Sequence, residues 1–136
     1  MNSSTLRSCL FLILIILLGA CAPVRQTKPE TISIEIDGVV IRNQLTFPVT
    51  DVQLLVLSSG NFVGCGNIMS RSACSTTFPL RDYSASKVLV TWKEYGKEHS
   101  TGEFVIKIPD EIDRSKPAQL EVIIFMMGEA GAKLVQ

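Results

Sequence analysis

From Ile32 to Met127 the chain is built of short apolar-rich segments with the period of a β-strand, and none of them carries the period of a helix. Ile32–Asp37 (ISIEID) alternates apolar and polar at every position, the pattern of a strand with one buried face. The dipeptide Asp37-Gly38 reads as a turn, after which Val39–Phe47 runs to Pro48. Val49–Ser59 has Val52, Leu54 and Val56 on one face and Leu55 and Leu57 on the other, which suits a central strand. Gly60–Ile68 and Ser72–Leu80 flank the polar tip Met69–Ser72 and read as a hairpin or paired segments. Ser86–Tyr95 puts Val88, Val90 and Trp92 on one face, and Gly96 then lets the chain reverse into His99–Ile108. Gln119–Met127 closes the series, and residues 128–136 read as a frayed C-terminal tail.

Seven or eight strands at a spacing of roughly ten residues predict an all-β domain over residues 32–127. The expected architecture is an antiparallel immunoglobulin-like β-sandwich, with a small β-barrel as the alternative. One domain of about this size is near the commonest length for an independent core.

Little in the composition points to chemistry. The chain has 13 basic and 13 acidic side chains and no run of like charge, so it lacks the basic stripe that nucleic-acid binding requires. Its single histidine, His99, lies beside a turn and reads as an exposed turn residue. G-x-S-x-G, H-E-x-x-H and phosphate-binding glycine loops are all missing. Asp110, Glu111 and Asp113 are the densest acids, but their spacing is not that of a calcium loop, and Arg114 and Lys116 follow them as in a solvated connection. No metal set, cofactor motif or catalytic constellation is expected.

The N-terminus carries a different signal. Arg7 precedes the apolar run Cys9–Leu18, which gives way to Gly19, Ala20 and Cys21. This is the layout of a secretory signal, and the run is too short to span a bilayer, which takes ~20 apolar residues. Leu18-Gly19-Ala20-Cys21 resembles the lipobox of bacterial lipoproteins. The resemblance covers only this segment. It implies that residues 1–20 are a signal peptide, and that Cys21 receives a diacylglycerol on its sulfur and a further acyl chain, palmitate in kind, on its new amine. Ala22 after the cysteine implies an outer-membrane address. Two or three acyl chains anchor a protein firmly where one holds only marginally. Residues 21–31, with Pro23 and Pro29, then read as a flexible tether.

Removing Cys9 with the signal and Cys21 to the lipid leaves Cys65 and Cys74. In an oxidising envelope such a pair is expected to form a disulfide. Zinc would require two more ligands, and no C-x-x-C motif is present.

The resulting expectation is a lipid-anchored, non-catalytic binding or assembly module on the periplasmic face of the outer membrane, with a protein partner in the envelope. The alternative is an inhibitor or ligand-capture lipoprotein that uses the Cys65–Cys74 loop. Candidate binding residues are Arg71 at the tip of that loop, and Tyr83 and Tyr95, aromatics near chain reversals.

Overall fold

The computed structural model describes residues 32–136; the expected signal segment, Cys21 and the expected tether lie outside the described residues. Ten strands and no helix occur among them. They are β1 (Ile34–Asn43), β2 (Val49–Val56), β3 (Phe62–Ile68), β4 (Ala73–Thr76), β5 (Asp82–Tyr83), β6 (Lys87–Glu94), β7 (Lys97–Ser100), β8 (Phe104–Val105), β9 (Ala118–Met126) and β10 (Glu129–Val135). One sheet has the order β10-β9-β1-β4, with β5 beside the first residues of β1. The other has the order β3-β2-β6-β7, with β8 beside the start of β6. All pairings are antiparallel except β1 with β9. Neither sheet closes on itself, so the fold is a β-sandwich and not the alternative barrel.

The core follows from the alternation. Val52, Leu54 and Val56 of β2 stand beside Val88, Val90 and Trp92 of β6 on the inner face of one sheet, and they share one core with Ile41, Leu120, Val122 and Ile124 from the other sheet. Of the 21 buried apolar side chains, 13 are Val or Ile, whose branched stems suit a pleated surface. β2 lies between β3 and β6, the central place its two apolar faces predict.

Several sequence expectations need correction. Asp37-Gly38 is not a turn: β1 runs straight through it, with a bulge between Ile36 and Gly38. The extra residue reverses the inward parity, so Ile34 and Ile36 are buried before the bulge, and Val39 and Ile41 after it. The return segment His99–Ile108 is not one strand but the separate pieces β7 and β8.

Residues 128–136 are not a frayed tail. Glu129–Val135 forms β10 against β9, and Leu134 is buried. Gln136 then fastens the long connection before β9. Its Nε2 donates to the carbonyls of Asp113 (2.7 Å) and Lys116 (3.1 Å), and its Oε1 accepts from Asp113 N (3.0 Å).

β3 and β4 are not a hairpin either. β3 is an edge of one sheet and β4 an edge of the other, so the chain crosses between sheets at residues 69–72. Cys65 on β3 and Cys74 on β4 are joined by a disulfide with the Cα atoms 6.0 Å apart. The disulfide is the expected one, but it staples the two sheets along one lateral edge. For its ten-residue loop the chain-entropy model gives about 2.7 kcal/mol of stabilisation.

Candidate functional site

The strand directions bring four connections to one end of the sandwich: residues 44–48, 69–72, 95–96 and 127–128. Asn43, the last residue of β1, is their hub and is almost fully buried. Its Nδ2 donates to the carbonyls of Phe47 (2.8 Å), Met69 (3.1 Å) and Ile68 (3.2 Å), while its Oδ1 accepts from Leu45 N (3.0 Å). One side chain thus ties backbone groups of two loops together. Gln44 N donates to Ile124 O (2.8 Å) and adds the end of β9 to the same cluster.

A second polar element sits beside it. Glu94 ends β6 on the inward face, after Val88, Val90 and Trp92, and is only 2% exposed. Its Oε1 accepts from Trp92 Nε1 (2.8 Å) and from Gly128 N (2.9 Å) in the turn between β9 and β10. Its Oε2 has no hydrogen-bond partner among the described residues and faces His99 Nε2 at 3.7 Å. The His99 ring lies nearly parallel to the Trp92 indole, with centroids 5.9 Å apart. His99 is therefore not the exposed turn residue expected from sequence; it is packed between Trp92, Glu94 and Gly128. At Gly128, φ is 76°, and a Cβ there would lie 2.8 Å from His99 Nδ1, so both the backbone and the packing require glycine. The cluster joins the sheets along the lateral edge opposite the disulfide.

Around these polar anchors the loop tips are apolar and open to solvent. Tyr95 is 79% exposed, Met127 69%, Met69 64% and Met126 57%. The Tyr95 ring packs on half-buried Phe47 with centroids 4.6 Å apart. Tyr95 and Gly96 form the two-residue turn between β6 and β7, with φ values of 51° and 81°. This is the left-handed pair of a type I′ hairpin, where Asn-Gly is the favoured sequence. An aromatic in the first position costs about 1–2 kcal/mol in backbone strain. A strained, exposed aromatic is the kind of outlier from which a functional role is inferred. Arg71, at the tip of the disulfide loop, is exposed at the same end with φ 56°.

Of the three binding residues read from sequence, the structure brings Arg71 and Tyr95 to one end. Tyr83 is corrected: it is fully buried. Its hydroxyl donates to Ser86 O (2.7 Å) and accepts from Ile106 N (2.8 Å), and its ring meets Phe78 edge-on. Burial pushes its phenol above the ordinary value, while the hydrogen bond from Ile106 pulls the other way. Tyr83 is core structure away from the loop end. Sequence reading missed Asn43, Glu94 and Met69. Only Glu94 left a usable sign, since it continues the inward parity of Val88, Val90 and Trp92 at a strand end.

A cleft of about 410 Å³ lies on the outer face of the second sheet, lined by Asp51, Gln53, Thr91, Lys93, Glu98, His99 and others. Its charges answer one another: Lys93 Nζ lies 2.9 Å from Asp51 and 3.9 Å from Glu98. The hydrogen bond to Asp51, followed by its charge, holds the Lys93 ammonium above its ordinary value. Among the described residues no three His, Cys, Asp or Glu side chains gather as a metal-binding group.

No protein-family model matches the chain. No curated protein matches it either. Among solved structures, it is similar to an NMR structure of a protein from Eubacterium rectale, with 15% identity over 75% of this chain and 90% of that one and a TM-score of 0.48.

Proposed function

We propose that this chain is a lipid-anchored, non-catalytic binding module of a bacterial cell envelope. It is held at the periplasmic face of the outer membrane by acyl chains on Cys21, and it docks a protein of an envelope complex through its apolar loop end. Within the sandwich class we assign the immunoglobulin-like type. The mostly antiparallel sheets and the buried Trp92 on an inner strand support it. The edge position of Cys65–Cys74 departs from the central inter-sheet bridge common in that type.

The observation that carries the docking assignment is the separation of entry and tips. The chain enters at the start of β1, and the ten residues of that strand carry it ~30 Å to the opposite end. There Tyr95, Met69, Met126 and Met127 stand exposed. These tips therefore cluster at the end of the sandwich away from the start of β1. Tyr and Met are both enriched in the cores of protein–protein contacts.

Two measurements test the reading. Cys21→Ala should move the protein from the membrane fraction to the soluble envelope fraction; continued membrane retention would remove the lipid anchor from the account. After crosslinking in cells and detergent extraction, a tagged chain should carry one discrete protein partner. Tyr95→Asn should lose most of that partner while changing stability by less than about 1 kcal/mol, because relief of left-handed strain offsets the lost ring contact with Phe47. Full partner recovery by the folded variant would overturn the assignment.

A further inference from the structure

Apart from Met1, the chain has three methionines, Met69, Met126 and Met127, and all three lie at the loop end. None of the 21 buried apolar side chains is a methionine. Methionine is a common filler of irregular core gaps, so its confinement to exposed tips sets this end apart. Met69 follows β3, and its carbonyl is held by Asn43. Met126 ends β9, two residues after Ile124, whose carbonyl is held by Gln44. Met127 lies next to Gly128, which is held by Glu94. The backbones of the three tips are therefore fixed while their side chains stand in solvent.

A second observation concerns the remaining sulfur. Cys65 and Cys74 are already joined as a disulfide, so no free thiol competes for an oxidant among the described residues. The three thioethers are the only reduced sulfur there, and each is more than half exposed. The aromatic side chain most sensitive to oxidation, Trp92, is buried.

We propose that Met69, Met126 and Met127 form an oxidation site that switches the loop end off. A peroxide transfers one oxygen to each thioether sulfur, giving a sulfoxide and water; the sulfur loses two electrons and the peroxide O–O bond breaks. A dithiol reverses the step, taking the oxygen as water and becoming a disulfide. The sulfoxide replaces a soft apolar tip with a strongly polar group that resists desolvation against a partner. The switch rests on the docking role proposed above, whereas the oxidation site itself does not.

The test uses the full chain in its own membranes, exposed to hydrogen peroxide. Peptide masses should show oxygen on all three residues, at rates within about threefold of a free methionyl peptide, and a methionine sulfoxide reductase should remove it. Oxidation slower than about tenfold at any of the three would overturn the site. For the switch, partner crosslinking is compared between the native chain and an M69L/M126L/M127L chain. Peroxide should lower adduct yield at least about tenfold in the native chain, equivalent to 1.4 kcal/mol. It should leave the leucine chain at that chain's own yield before peroxide, whatever the three substitutions do to docking. Equal losses in both chains, or full docking by a chain carrying all three sulfoxides, would overturn the switch. Absence of any adduct before peroxide would sink the docking reading and the switch, and leave the oxidation rates to decide the site.

Discussion

At one lateral edge of the sandwich, β3 and β4 are tied across the sheets by Cys65–Cys74. At the other, β6 and β7 are tied to the β9–β10 turn by the Glu94 carboxylate, with Trp92, His99 and Gly128 around it. The two closures have the same architectural result and different physics. In the chain-entropy account a disulfide acts on the unfolded chain and is indifferent to packing detail. A buried carboxylate acts only in the folded state, and its worth depends on each donor that reaches it. The apolar tips Tyr95, Met126 and Met127 are borne on the second edge beside the carboxylate cluster, while Met69 and Arg71 are held from the first edge through Asn43 and Leu45.

The largest effect is expected at Glu94. Glu94→Ala strands the Trp92 N–H and the Gly128 N–H in the interior and should cost about 4 kcal/mol, or roughly 20 °C in melting midpoint. Glu94→Gln keeps an acceptor oxygen and should cost about 1 kcal/mol. Calorimetry showing a loss of no more than about 1 kcal/mol in Glu94→Ala would mean that the carboxylate is a bystander.

The other edge comes next. Replacing both Cys65 and Cys74 with serine should cost about 2.7 kcal/mol in denaturant titration. It should weaken loop-end docking less than Glu94→Ala does, because Met69 and Arg71 lie in the disulfide loop but Tyr95, Met126 and Met127 do not. An equal or greater loss of docking would show that the two edges are not independent.

At Gly128 an alanine meets His99 and is held in a left-handed backbone, which should cost about 2 kcal/mol. Pairing it with His99→Ala makes room and should recover part of that loss. Strict additivity of the two changes would place the strain elsewhere.

A smaller and pH-dependent effect concerns how β10 is held to β9 and β1. Glu121 lies 2.6 Å from Arg42 and 3.1 Å from Lys133, and the hydrogen bond from Arg42, then that from Lys133, holds its carboxyl below its ordinary value of 4.5. A carboxyl depressed in the folded state contributes stability above its unfolded value and loses it as pH falls through the folded one. Stability should therefore decline below about pH 4.5, and Glu121→Gln should flatten that part of the curve. An unchanged acid limb would remove Glu121 from the account.

The sandwich was legible because its signal is local. Period-two alternation in Val52–Val56 and Lys87–Glu94 fixes which side chains face inward, and the two cysteines left after the expected signal and lipid sites read as a pair. Partner choice among strands is not local. Nothing in Gly60–Leu80 says that the chain leaves one sheet for the other, so from sequence the stretch reads as a hairpin or paired segments. Nothing in residues 128–136 shows that β9 offers a free edge to receive them. A bulge at Gly38 and a turn at Gly38 also share the same dipeptide.

The candidate site was legible in pieces. Arg71 and Tyr95 were marked by chemistry and by proximity to turns, while Tyr83 carried the same marks and is core. The difference is set by Phe78, whose ring meets that of Tyr83 edge-on, and by Ile106, 23 residues away, whose N–H reaches the hydroxyl. Met69 joins Met126 and Met127 only through the crossing of β3 to β4.

The most direct test of the docking end is a scan with a photoreactive side chain in cells. It would be placed in turn at Tyr95 and Met127, and at Phe62, an exposed apolar position near the opposite end, beside the start of β3. The account predicts one protein adduct, of the same mass, from the first two positions and none from Phe62. An adduct from Phe62 alone, or equal adducts from all three, would contradict it.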